Sequence, residues 1–136
     1  MATLVLTDAY VMWHSVDLSD HVRAVTLNYS SELQDDTAMG DTTRSRAGGL
    51  LDWSADIEFY ADEATSKVQQ LFFADMGTAQ TLIVRPVGGT VVGAANPNYT
   101  GVGVAESIPL VTGAVGEMQM APVHIAAAGT LARATA

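Results

Sequence analysis

The chain has 136 residues, no cysteine and a net charge of −9 set by fifteen acidic and six basic side chains. The missing cysteines exclude disulfides, thiolate zinc sites and cysteine nucleophiles together. One Lys and five Arg cannot line a basic stripe, which disfavours direct binding to nucleic acid. In chain order, Ala9–His14 reads as a first strand. Val22–Ser31 alternates Val25, Leu27 and Tyr29 against Thr26, Asn28 and Ser30, the period-two pattern of a half-buried strand. The stretch from Glu32 to Leu51 is polar and reads as a long loop, unusual in a compact domain unless it is functional or disordered. Trp53–Tyr60 follows with near-perfect alternation, placing Trp53, Ala55, Ile57 and Phe59 opposite Ser54, Asp56, Glu58 and Tyr60.

Asp62 is a good N-cap for a helix over residues 63–75, whose Val68, Leu71 and Phe72 form an apolar stripe. Gly77 suits its C-terminal cap. Further strands are predicted at Thr81–Pro86, Asn98–Leu110 and Gly116–Ala127. These elements predict one domain over 1–136, mostly β: an antiparallel β-sandwich or barrel with one flanking α-helix and a long hairpin loop. The later strands carry few charges, with Glu106, Pro109, Pro122 and His124 as their only guards against edge pairing. They are either central and covered, or completed by a neighbouring subunit.

Residues 1–75 hold thirteen acidic and four basic side chains, whereas residues 76–136 hold two of each. An acidic surface provides solubility, or it repels a polyanion passing close by. No run approaches the ~18 apolar residues that span a bilayer. The first basic residue is Arg23, so a signal-peptide n-region is missing, and the chain reads as a soluble intracellular product. The Asn-x-Ser/Thr matches at Asn28 and Asn98 have no meaning without a secretory route.

Candidate chemistry is sparse. His14, His21 and His124 lack ligand-like spacing and read as structural or solvated. Asp35, Asp36 and Asp41 lack the regular spacing and terminal Glu of an EF-hand. Asp56 and Glu58 share a strand face, but alternation creates such neighbours without any glycosidase role. Ser45 and Ser54 have no nucleophile elbow around them. Gly88-Gly89 reads as a turn, not a phosphate loop. No catalytic, cofactor or metal site is expected, and the chain is not expected to be an enzyme.

Four segments, MGDTTRSRAGGLLDWSADIEFYAD at 39–62, NPNYTG at 96–101, GAVGEMQ at 113–119 and AAAGTLARATA at 126–136, resemble the tail tube (major tail) proteins of long-tailed bacteriophages. They occur in the family's order and spacing, from about Val16 onward; the N-terminal MATLVLTDAYVMW departs in being more apolar. The resemblance implies a β-sandwich whose protomers form rings, typically hexameric, with inner-sheet strands closing a barrel around a lumen. The rings would stack into the tail tube, a conduit for DNA ejection. It also implies tail tip and tail terminator proteins as partners. Genomic DNA would pass without specific binding, and the chain would not insert into a membrane. Its place would be the virion tail, after synthesis in the host bacterial cytoplasm.

On this reading Ser54, Asp56, Glu58 and Asn28 line the lumen, with Thr26 and Ser30 beside them. The family's hairpin loop reaches towards the next ring, and that role carries over to residues 32–51. Asp35, Asp36, Asp41, Arg44 and Arg46 supply its charges, with both arginines pairing to acids of an adjacent subunit and Gly40, Gly48 and Gly49 allowing its bends. Val102, Val104, Val123 and Ile125 are expected in the core or in the interface between neighbours within a ring. The alternative reading is a β-sandwich binding or capsid-decoration module, which would stay monomeric.

Overall fold

The computed structural model describes residues 8–89 and 91–135. Its strands are β1 (Tyr10–Trp13), β2 (Val16–Asp17), β3 (Val22–Asp35), β4 (Arg46–Tyr60), β5 (Ala79–Arg85), β6 (Asn98–Ser107), β7 (Met120–Ala127) and β8 (Ala132–Ala134). One α-helix, α1 (Val68–Asp75), and a 3-10 turn at Ser19–His21 complete the elements. All strands join one antiparallel sheet in the order β2-β1-β5-β6-β7-β4-β3, with β8 pairing β6. Residues 1–7 of the apolar N-terminal stretch lie outside the described residues; Tyr10–Trp13 of it forms β1.

The sheet curls instead of lying flat. β1 and β4 stand four strands apart, roughly 19 Å in a flat sheet. Yet Phe72 of α1 stacks on Trp13 at 5.4 Å and tilts against Phe59 at 5.6 Å. Both halves therefore fold their inner faces over one core, giving a sandwich-like shape. The sheet does not close into a barrel: within the subunit β2 and β3 end it without pairing each other.

Alternation set the core as expected. Trp53, Ala55, Ile57 and Phe59 are buried, as are Val11, Trp13, Leu82, Val84, Ala121, Val123 and Ile125 from neighbouring strands. Large and small residues interlock at one point. A Cβ on Gly101 would meet Trp53 at 2.7 Å, and one on Gly103 would meet the Ile125 side chain at 2.6 Å. The indole fills the space these glycines leave, and its Nε1 donates to the Gly129 carbonyl at 2.8 Å.

Several expected boundaries move. The helix starts at Val68, not 63, because Ser66 adopts φ 60° and breaks the helical path. The Asp62 carboxylate accepts from Ala64 N at 2.9 Å in a turn before the helix, while Gln69 Oε1 accepts from Asp62 N. Val68 and Phe72 are fully buried and Leu71 packs at the core margin. Gly77, at φ 77°, follows the C-cap Met76 as expected. β6 and β7 are shorter than predicted, ending at Ser107 and starting at Met120. Both are central strands, so intrasubunit neighbours cover their edges and no second subunit is needed to complete them.

Candidate functional site

The largest departure from expectation is the segment 32–51. Much of it is strand: β3 continues to Asp35 and β4 begins at Arg46. β4 pairs β7 only from Ser54 onward, so Arg46–Trp53 pairs with β3 alone. The exposed part of this two-stranded hairpin, Arg46–Asp52, projects roughly 23 Å beyond the sheet body, by the rise of seven strand residues. A bulge sits where Ser31 faces Leu51 and Leu33 faces Gly48. There a Cβ on Gly49 would lie 2.8 Å from the Glu32 carbonyl oxygen, so glycine is required. Gly40 supplies φ 99° at the tip, whereas Gly48 has open space and no positive φ.

The tip is held by its own hydrogen bonds. Asp35 Oδ1 accepts from Thr37 N at 2.9 Å, Asp41 Oδ2 from Ala38 N at 2.7 Å, and Thr37 Oγ1 from Ser45 N at 2.7 Å. Arg44 donates to Asp35 at 2.8 Å inside its own hairpin, and its side chain remains exposed. Thr37, and secondarily Arg44, hold the Asp35 carboxyl below the usual range. Arg46, Asp36 and Asp41 make no ion pair among the described residues. Leu33, Met39, Leu50 and Leu51 are all exposed on this hairpin.

The sheet face away from the core carries the acidic set. Asn28 faces Ser54, Thr26 faces Asp56, and Ala24 faces Glu58 across β3 and β4. His124 of β7 faces Asp56 on the other side. Its Nδ1 lies 2.6 Å from Asp56 Oδ1 and its Nε2 lies 3.3 Å from Glu106 Oε2. A bulge between Ala105 and Ser107 lies next to Glu106, so the three groups tie β4, β7 and β6 together. Hydrogen bonding to Asp56 raises the His124 pKa, with the Asp56 and Glu106 charges adding to it. Arg23 pairs Glu58 at 3.0 Å. The face is therefore acidic but partly compensated.

The other two histidines also meet acids: His14 Nδ1 lies 2.8 Å from Asp75, and His21 Nε2 lies 2.7 Å from Asp62. The Ala64 amide, then His21, lower the Asp62 pKa. No group of three or more His, Cys, Asp and Glu among the described residues can hold a metal. Sequence reasoning missed these pairs because their members lie 41 to 68 residues apart. Asn96, in the NPNYTG segment, is buried and bonds the Val87 backbone in both directions, at 3.0 and 2.9 Å. Gly88 and Gly89 form a turn, as expected.

Of the four residues expected in the core or at an intra-ring interface, Val123 and Ile125 are fully covered inside the subunit. They cannot also face a neighbour. Val102 is exposed and Val104 half-buried, on the same outer face as Ser54 and His124. Sequence reading also missed an apolar groove of about 620 Å³ near the hairpin base. Val25, Leu27 and Tyr29 of β3 form one wall, and Val84, Tyr99 and Leu131 form the other. Arg85 and Arg133 lie at its lining.

No protein-family model matches the chain, and no curated protein matches its sequence. Solved structures do share its fold. A chain of the virion of a native gene transfer agent particle superposes with TM-score 0.72 at 18% identity, covering 93% of this chain and 95% of that one. A chain from the tail of an empty gene transfer agent particle, refined with C6 helical symmetry, gives TM-score 0.62 at 21% identity over 83% of this chain and 81% of that one. The protein thus shares the fold of a chain in that virion and of a chain in that tail. No helix among the described residues is long and apolar enough to cross a membrane.

Proposed function

We propose that this chain is a structural protomer of a phage-type tail tube, forming rings, on the C6 precedent six-membered, that stack into a conduit for DNA. The observation that carries this reading is the near full-length fold match to virion and tail chains of a particle with C6 tail symmetry. The projecting hairpin and the acidic outer face support it. On this reading Ser54, Asp56, Glu58 and Asn28 line the lumen, where carboxylates repel passing phosphates at short range. Residues 32–51 bridge adjacent rings through Leu33, Met39, Leu50 and Leu51, with the exposed Arg44 and Arg46 as the cations offered to a neighbour. Tail tip and terminator proteins cap the tube, in the virion tail. The role is structural and not enzymatic.

Electron microscopy of the purified protein tests this. Rings or tubes with a central channel are the expected result; monomers at every concentration and salt would favour a monomeric binding or decoration module instead. In an assembled structure, Asp56 and Glu58 on the outer wall would sink the lumen assignment.

A further inference from the structure

The subunit has two unlike ends. The hairpin end carries the apolar groove: Val84 pairs Tyr99, Ala132 pairs Thr100, and Tyr29 pairs Trp53 where the hairpin leaves the body. The opposite end carries α1 and the loop 108–119, placed there because Tyr60 pairs Met120 and Ala61 N donates to the Gln119 carbonyl. This loop is apolar at its tip and unusually bare. Val111 is 87% exposed, Val115 fully exposed and Met118 73% exposed. It is also shaped: Glu117 N donates to the Ala114 carbonyl at 3.1 Å, with Gly116 at φ 88° completing the turn, and Gln119 Nε2 donates to the Leu110 carbonyl. The turn holds Val115 and Glu117 at the loop's tip.

The groove complements this loop in charge as well as polarity. Arg85 and Arg133 are the only Lys or Arg residues in the second half of the chain, and both line the groove. Neither makes an ion pair among the described residues, although the chain has a large excess of acids. Arg85 donates to Asn98 Oδ1 and the Gly88 carbonyl and its guanidinium lies 4.5 Å over the Tyr10 ring, while its buried Nε has no hydrogen-bond partner. Arg133 donates to the Tyr99 hydroxyl and the Ala94 carbonyl. Glu117 likewise makes no ion pair among the described residues.

We propose that the loop 108–119 of a second copy of this chain docks in the groove between β3 and β8, with Val115 and Met118 against Val25, Leu27 and Tyr29 and with Glu117 facing Arg85 and Arg133. Groove and loop sit at opposite ends of the subunit, so the loop cannot fill its own groove. The contact is head-to-tail, and such a heterologous contact repeats without limit unless its rotation closes it. It rests on the tube reading and adds to it a second axial contact beside the hairpin. Burial of the bare valine and methionine drives the docking, and the ion pairs fix its register.

The chain has no native cysteine, so disulfides of the variant Tyr29→Cys/Val115→Cys form only between the introduced positions, and the single-cysteine variants control for 29–29 and 115–115 pairing. Oxidation of assembled protein should give a ladder of dimers, trimers and higher species on a non-reducing gel, while either single cysteine variant gives none. Charge reversal is the second arm. Glu117→Arg or Arg133→Glu alone should raise the critical concentration for tube growth about tenfold, and the double reversal should restore it to near the parent value. Parent tubes that assemble while the double-cysteine chain gives no ladder overturn the docking and leave the tube reading standing. A parent chain that stays monomeric at all concentrations overturns both.

Discussion

β4 shows two regimes within one strand. From Ser54 to Tyr60 it lies between β3 and β7, and its inner side chains are buried in strict alternation. From Arg46 to Asp52 it pairs with β3 alone, and every residue is exposed. The strand is continuous; the hairpin half lacks both the β7 neighbour and the core layer above it. Alternation marks a strand where one face meets a core, and fades where neither does. Stability therefore resides in the body, and the hairpin is free to carry assembly contacts.

That contrast breaks first at Phe59, which touches Phe72 from the body half of β4. Phe59→Ala should lose about 3–5 kcal/mol of stability by denaturant titration, because a large cavity opens under α1. A loss below 1 kcal/mol would place the core elsewhere. Gly103→Ala comes next. Its new Cβ would meet Ile125, Trp53 and the Ala126 carbonyl at 2.6, 2.9 and 3.0 Å, so about 1–3 kcal/mol should be lost to overpacking. Gly48→Ala, in the hairpin with open space around it, is the control and should be near neutral in the same titration.

The outer face gives a smaller, pH-dependent effect. The His124 pKa is raised in the folded protein, chiefly by Asp56. Its stabilisation is then fully present below the unfolded value near 6.5 and is lost as pH rises through the raised folded value. Both partners are substantially solvent-exposed, so the effect should stay within about 1 kcal/mol. Comparing Tm across pH for the parent and His124→Gln checks it: the parent's advantage should shrink with rising pH, and a constant offset would rule out the linkage.

The smallest stability effect belongs to the hairpin. Leu50→Ser with Leu51→Ser should change folding stability by less than about 0.5 kcal/mol, because both side chains are already exposed. Tube growth, read by electron microscopy, should nevertheless fall sharply. Unfolding of this variant at much lower denaturant would mean that the hairpin supports the body after all.

Alternation in Trp53–Phe59 and Val25–Tyr29, the stripe on Val68 and Phe72, and the absence of cysteine were legible in the sequence, because local periodicity follows directly from strand and helix geometry. The polar run of 32–51 was legible as a long hairpin loop but not as paired strand, since cross-strand pairing satisfies the backbone without needing apolar side chains and leaves no periodic signal. The late start of α1 depended on the positive φ at Ser66, and the three histidine–acid pairs on partners far away in sequence. Whether uncharged β6 and β7 were edge or central strands was left open by composition and decided by sheet order alone. The groove beside Arg85 and Arg133 arises only when β3 and β8 approach across the curled sheet, a long-range juxtaposition that no window of sequence contains. Sequence determined which faces are apolar; tertiary structure decided which of them are covered.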